Sequence, residues 1–334
     1  MSDAGWTPAD LPDLGGMRAV VTGANSGIGW YTALELARRG TVVVLAVRDE
    51  ERGAAAAERL RSLVPAARLE VSRLDLADLA SVRAFAAGQV RRRLDLLINN
   101  AGVMGIPRTE TADGFETQFG VNHLGHFALT GLLLPTLLTG GVRRGPARVV
   151  TVSSHLHRRG RLHPDDLMAK GWYTPFAAYG QSKLANLLFM RELQRRVDAC
   201  GVPLASIGAH PGYAATNLQA RGPRMSGSRV GEMIAWLANR LLAQSPAQGA
   251  WPTLRAATDP GARGGDYFGP GGFAEQRGHP VLVGMSAAAS GADDARRLWE
   301  ASVELTGVDY TQLKPSFPRT PPLAPNAEPG TPGR

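Results

Sequence analysis

Apolar residues alternate along this chain between two patterns. Short β-branched or aliphatic runs at 19–22, 42–47, 68–73, 94–99, 148–153 and 204–210 are separated by longer stretches with apolar positions every three or four residues. These longer stretches cover 28–39, 50–63, 79–89, 114–138 and 178–199 and predict helices. Strand and helix in strict alternation imply βαβ units. The runs read as near-continuously apolar, as expected where helices cover both faces of a sheet. The predicted fold class is therefore α/β, a doubly wound parallel sheet flanked by helices.

Beyond His210 the pattern becomes irregular. Residues 221–229 are rich in Gly, Ser and Arg and predict a loop. Residues 231–244 carry Met233, Ile234, Leu237, Leu241 and Leu242 at helical spacing, and packing onto the domain is favoured over a membrane-surface helix. A further helix is expected at 248–258 and a last short strand and turn at 265–270. Seven prolines fall between Lys314 and the end, which predicts an extended or disordered tail. The expected organisation is an N-terminal extension at 1–14, one domain at 15–313 with a small substrate-loop region near 213–245, and a proline-rich tail at 314–334.

Composition changes this picture little. The 334 residues are 44% apolar, ample for a core, and the net charge is +8 with a pI near 10.2. The basic residues are mostly arginines in short runs such as Arg91-Arg92-Arg93, with no basic stripe interleaved with aromatics, so nucleic acid is not an expected partner. Cys200 is the single cysteine, which rules out an internal disulfide and a thiolate-rich metal site. Residues 1–14 do not have the layout of a signal peptide, and no apolar run approaches the length of a membrane span. No transmembrane anchor and a cytoplasmic location are expected.

Two segments carry chemistry. After the first strand comes Gly23-Ala24-Asn25-Ser26-Gly27-Ile28-Gly29, followed at once by a helix. Such a turn lets a pyrophosphate approach free backbone N–H groups at a helix start. Further on, Tyr179 and Lys183 stand four residues apart, on one helix face. A phenol titrates near 10, but an ammonium about 5 Å away favours the phenolate by roughly 3 kcal/mol, about two pKa units. That would bring Tyr179 toward the range where it exchanges protons during turnover.

The spacing Thr22-Gly23-x-x-x-Gly27-x-Gly29 resembles the fingerprint of the short-chain dehydrogenase/reductase family, and the resemblance runs in order over most of the chain. Asp75-Leu76 looks like the family's adenine-contacting pair, and Asn99-Asn100-Ala101-Gly102 like its sheet-stabilising motif lining the cofactor cleft. Pro211-Gly212 and Thr216 match the segment that touches the nicotinamide half. Ser154, at the end of the fifth strand, matches the catalytic serine, with Ser153 as a backbone-capping neighbour. Asn122 matches the asparagine that holds a proton-relay water, and its position also suits a helix kink. The segments 45–49, 121–127, 179–186 and 210–217 and the 25-position offset from Ser154 to Tyr179 are closest to the retinol dehydrogenase and WW-domain oxidoreductase branch. The hydrophobic N-terminal anchor and the WW domain of that group are not seen.

The resemblance implies a Rossmann-type single domain. It also implies hydride transfer between nicotinamide and a lipophilic carbonyl or alcohol. Asn122, Ser154, Tyr179 and Lys183 would form the catalytic set. The cofactor would be held by Gly23, Asn25, Ser26, Gly27, Ile28, Gly29, Arg48, Asp75, Leu76, Asn99, Ala101, Gly102, Tyr179, Lys183, Pro211, Gly212 and Thr216. Val47 stands where NAD-preferring relatives place an acidic residue, and Arg48 follows with a fork suited to a 2′-phosphate, so NADP(H) is the expected cofactor and NAD(H) the other candidate. A catalytically silent cofactor sensor is the alternative, which the intact tetrad disfavours. His155, His157 and His163 lack metal-ligand spacing and predict a loop bordering the substrate entrance. Trp236 and Trp251 suit either a pocket wall or a core. The sequence leaves substrate identity and a homo-oligomeric state open.

Overall fold

The computed structural model describes residues 5–90, 92–140, 145–213 and 244–313. Eight strands form one sheet: β1 (Arg18–Thr22), β2 (Val42–Val47), β3 (Arg68–Arg73), β4 (Leu96–Asn99), β5 (Ala147–Val152), β6 (Leu204–Ala209), β7 (Tyr267–Pro270) and β8 (Pro280–Leu282). Their order is β3-β2-β1-β4-β5-β6-β7-β8. All pairings are parallel except β7 with β8, an antiparallel edge that the periodicity does not announce.

Successive residues of each strand feed opposite layers. Ala19, Val21, Val43 and Leu45 pack beneath helices α1 (Gly27–Arg38) and α2 (Glu50–Leu63). Val20, Val44, Leu97 and Val149 face the other side, packed by α3 (Leu79–Gln89), α4 (Thr117–Gly140) and α5 (Pro175–Cys200). Helix α6 (Trp251–Thr258) returns to the first side, where Trp251 packs on the core and stacks on His279. This is the predicted doubly wound architecture in a single domain. Strand β3 departs from the near-continuous apolar reading: it is the edge strand, partly covered, and alternates apolar with polar residues.

The predicted helix at 114–138 is Thr117–Gly140, and it is not uniform. Gly120–Leu124 widen into a π-turn, placing Asn122 in the irregular step. This helix is long and apolar enough to cross a membrane, but its most apolar window is 78% buried within the domain. Its apolarity is used in the core.

Helix α7 (Ala292–Thr306) lies on α5 and was not legible in the sequence. It brings Trp299 into an aromatic cluster with Phe127, Phe189 and Tyr310. Residues 5–14, expected as an extension, pack on the domain: Trp6, Leu11 and Leu14 are buried, and Arg39 donates to the Pro8 and Ala9 carbonyls. Residues 214–243 and 314–334 lie outside the described residues, and with them the predicted loop at 221–229, most of the amphipathic segment 231–244, Trp236, Thr216 and the tail.

Candidate active site

The strand order reverses between β1 and β4, and the crevice beyond their C-terminal ends is where such folds bind ligands. The glycine turn lies there. Gly23 and Gly27 adopt left-handed φ values of +68° and +56°. A Cβ on Gly29 would stand 2.5 Å from both Asn100 Nδ2 and the Gly23 carbonyl, so this position admits only glycine without displacement. Ser26 is the N-cap of α1 but makes no side-chain capping bond, leaving the first-turn N–H groups for an anion. Asn25, Ser26, Gly27 and Ile28 are half-buried at the rim. A dinucleotide pyrophosphate fits this cradle.

Thr22 is the knot beneath it. Its hydroxyl oxygen accepts the Asn100 and Ala101 N–H groups, each at 2.9 Å, and Asn100 Nδ2 donates to the Thr22 carbonyl at 2.8 Å. The turn after β4 is thereby tied to the turn after β1. The sequence reading placed Asn99 among the cofactor contacts, but its side chain is buried and donates to Thr130 of α4, away from the crevice. Asn100, absent from the expected set, clamps the glycine turn instead.

Arg48 is exposed directly after β2, beside the buried and non-acidic Val47. Asp49 is turned into the start of α2, accepting the Arg52 N–H. Asp75 Oδ1 accepts the Ala77 N–H, whereas the N-cap of α3 is Asp78. Leu76 is buried in the core layer of α3 and α4.

Three elements carry the tetrad: the end of β5, α5 and α4. Strand β5 continues through Ser153, whose hydroxyl donates to the Lys183 carbonyl, a bracing role that leaves Ser154 for the site. Ser154 Oγ caps the following turn at Leu156 N, and its hydroxyl acts on the Tyr179 phenol to lower its pKa. Helix α5 begins at an N-cap, Thr174, followed by Pro175, which sets Tyr179 in its second turn. Lys183 Nζ lies 5.7 Å from the Tyr179 ring centre and donates to the Val152 carbonyl at 3.0 Å. A Cβ on Gly102 would meet Asn122 Oδ1 at 3.0 Å and Lys183 Nζ at 3.6 Å, so the three converge.

Asn122 has its side chain fully engaged. Oδ1 accepts Val103 N–H at 2.8 Å, and Nδ2 donates to the Val103 carbonyl and to Ser182 Oγ, both at 2.9 Å. What it offers a relay is its backbone carbonyl, which accepts from His126 Nδ1 at 3.0 Å. The other ring nitrogen, Nε2, takes the Thr22 hydroxyl at 2.9 Å. Burial holds His126 at about 4, so its ring is neutral. The kink and the relay position coincide in one residue.

The electrostatics reverse one expectation. Burial raises Tyr179 to about 12, against a lowering hydrogen bond from Ser154, and burial lowers Lys183 to about 8. Both side chains are removed from water, and in this dry setting desolvation outweighs the pull of the ammonium on the phenol.

The histidine-containing insert is partly structural. His157 is buried, its Nδ1 donating to the Ser154 carbonyl at 2.7 Å and its Nε2 accepting Ser286 N–H. Among the described residues no three His, Cys, Asp or Glu side chains gather as a metal site. A cleft of about 420 Å3 opens between the insert and the start of α5, lined by Arg161, His163, Trp172, Tyr173 and Gln181. Gln181 lies about 200° round the helix from Lys183, so this cleft is on another face from the tetrad.

Comparison with known proteins bears on this geometry. A family model described as short chain dehydrogenase matches residues 17–226. The chain belongs to that family. Polyprenol dehydrogenase of Mus musculus is 42% identical over 306 residues, covering 90% of this chain and 87% of the relative. Retinol dehydrogenase 11 of Homo sapiens is 41% identical over 299 residues, covering 88% of this chain and 87% of the relative. A crystal structure of an uncharacterized protein from Mycobacterium paratuberculosis superposes with a TM-score of 0.75 at 45% identity, covering 92% of this chain and 99% of that one. The Pseudomonas aeruginosa RhlG/NADP complex matches with a TM-score of 0.59 at 26% identity, covering 76% and 94%. This short-chain dehydrogenase is thus an NAD(P)-dependent oxidoreductase of the retinol dehydrogenase branch.

Proposed function

We propose that this short-chain dehydrogenase uses NADP(H) to interconvert a lipophilic alcohol and its carbonyl compound, with an isoprenoid primary alcohol as the substrate class. The observation that carries the reading is the convergence of Ser154, Tyr179, Lys183 and Asn122 beside the glycine cradle. The bound nicotinamide would supply or accept the hydride. Ser154 holds the substrate oxygen where charge develops. Tyr179 moves the proton at that oxygen. In the reducing direction Lys183 stabilises the phenolate left behind and returns a proton to it, Lys183 being reprotonated in turn from solvent, and alcohol oxidation runs the same transfers in reverse. Two of the relatives are named for retinol and polyprenol, both isoprenoid alcohols, which supports the substrate class.

The NADP(H) preference is supported by Arg48, an exposed guanidinium at the strand end, with Val47 rather than a carboxylate before it and Asp49 paired with Arg52. Its loss removes a charge-assisted contact worth roughly 1.5–3 kcal/mol, about ten- to a hundred-fold in affinity. The test follows NADPH and NADH oxidation with retinal, farnesal and short aliphatic aldehydes, in wild type and Arg48→Ala. The expected result is NADPH-dependent reduction of the isoprenoid aldehydes, with NADPH affinity reduced in the variant and NADH affinity little changed. Tighter NADH binding in the wild type overturns the cofactor assignment, and turnover confined to short aldehydes overturns the substrate class.

A further inference from the structure

Of the three left-handed non-glycine residues among the described residues, two lie in the loop between β7 and β8. Ala274 and Glu275 are consecutive and both left-handed, with φ of +50° and +54°, a region that disfavours residues with a Cβ. Phe273, just before them, is 90% exposed, so the loop does not offset this strain by burying its own aromatic side chain. Strain of this kind persists where the surroundings over-determine it, often at functional sites.

What the conformation achieves is the placement of one carboxylate. Glu275 Oε1 lies 2.9 Å from Arg158 Nη2, and Oε2 lies 3.1 Å from His210 Nε2 and 3.8 Å from His155 Nδ1, close charge contacts in which neither Oε2 nor His210 Nε2 is aligned for a hydrogen bond. The His210 ring, with Arg158 and His155, holds the Glu275 carboxyl down at about 2 despite burial. His210 is fully buried, and its Nδ1 accepts the Gly212 N–H at 3.3 Å. That bond requires Nδ1 to be bare, which puts the ring proton on Nε2, facing Glu275.

The same loop closes on the neighbouring backbone. The Gln276 carbonyl accepts Tyr213 N–H at 2.8 Å, and a Cβ on Gly212 would stand 2.4 Å from that carbonyl. Gln244 then ties Pro211 and Tyr213 together, donating Nε2–H to the Pro211 carbonyl at 2.6 Å and its N–H to the Tyr213 carbonyl at 2.8 Å. Three loops therefore meet at one carboxylate: the insert after Ser154, the segment after β6 and the β7–β8 connection.

We propose that Glu275 is a positioning residue for the nicotinamide end of the site, locking His210 in its Nε2–H form so that Nδ1 holds Gly212 and the Pro211–Gly212 backbone in place. The proposal rests on the nicotinamide-binding reading of that segment. The groups facing His210 are Glu275, His155, His157, Arg158 and Tyr267. Burial lowers the His210 pKa, Glu275 raises it, and His155 and Arg158 lower it further. Removing the Glu275 charge therefore moves the His210 titration to lower pH. With the carboxylate charge gone, the neutral ring is also free to carry its single proton on Nδ1, and in that form Gly212 loses its acceptor.

The test uses the full chain with Glu275→Gln, which keeps the shape and removes the charge, and Ala274→Gly, which relaxes the backbone and keeps the carboxylate. NADPH affinity is measured by fluorescence titration, and the His210 ring is titrated by 15N NMR. Glu275→Gln is expected to bind NADPH ~10-fold more weakly, the scale of losing one close charge contact in a buried site. Its His210 midpoint should move down, while Ala274→Gly should match wild type in both readouts. Wild-type affinity with an unmoved midpoint in Glu275→Gln overturns the proposal, as does an equal loss in Ala274→Gly, which would assign the effect to loop shape. If the wild type binds no nicotinamide cofactor, the functional reading fails and the positioning role with it. The His210 midpoint then still shows whether Glu275 governs the ring.

Discussion

Replacing Lys183 should strengthen the fold while ending turnover. An exposed lysine takes up its proton near 10.5, and burial holds Lys183 at about 8. The folded protein therefore resists this charge by roughly 3 kcal/mol at neutral pH. Methionine occupies a similar volume without the charge. The substitution deletes the Nζ bond to the Val152 carbonyl, which subtracts about 1 kcal/mol. That carbonyl is not orphaned, because Asn186 Nδ2 also donates to it at 3.1 Å. The net expectation for Lys183→Met is a gain of ~2 kcal/mol at pH 7. Between about 8 and 10.5 the unfolded chain binds more protons at this position than the folded protein does. Wild-type stability from this group accordingly rises with pH across that window, and the variant's advantage shrinks across it. Urea unfolding of both proteins without cofactor, at pH 7 and at pH values up to the top of the window, measures the difference. A variant less stable than wild type at pH 7, or an advantage that does not shrink with pH, would refute the reasoning.

Three further outcomes are expected. Tyr179→Phe should lower turnover by about 10²–10⁴, the usual yield of a positioned acid–base group, with NADPH binding nearly intact by fluorescence titration. Trp299→Ala should cost about 3–5 kcal/mol in urea unfolding, because it empties the aromatic cluster between α4, α5 and α7 and removes the partner of Arg196, whose guanidinium lies 4.4 Å from the ring centre. Gly29→Ala should weaken NADPH binding by more than about ten-fold, since its Cβ would meet the Gly23 carbonyl and Asn100, neither free to move, and unchanged affinity would mean the turn does not hold the cofactor.

Legibility in the sequence followed locality. The glycine turn could be read because strand, turn and helix start are contiguous, and Tyr179 and Lys183 because four residues define one helix face. Ser154 could be separated from Ser153 by family resemblance, and the Ser153 bond to the Lys183 carbonyl accounts for the division of labour. What escaped depended on partners far along the chain. Asn100 meets Thr22 across 78 positions, His126 meets Thr22 across 104, and Arg158 meets Glu275 across 117. Helix α7 escaped for another reason. Its buried face combines Leu298 and Trp299 with Ala295, Ser302 and Thr306, so small and polar residues dilute the apolar period. The π-turn at Asn122 is likewise invisible to a pattern that assumes one helical period.

The direction of the Tyr179 shift shows why spacing alone could not describe the site. Spacing supplies a charge near a phenol, and that charge by itself lowers the phenol's pKa. Burial is a property of the whole domain, and it acts on both groups at once: it withdraws water from the phenol, the ammonium and the neighbouring histidines. In such a setting each proton has few places to go, and each hydrogen bond counts for more than it would in water. Tyr179 held protonated is ready to donate to an oxygen that gains charge, and Lys183 near 8 is ready to return a proton to the phenolate. The cost of burying Lys183, which the methionine variant would recover, is therefore the same physical condition that makes the pair responsive. The protein tolerates that cost because β5 and α5 hold the two side chains rigidly, through the Val152 carbonyl on one side and the Ser153 hydroxyl on the other.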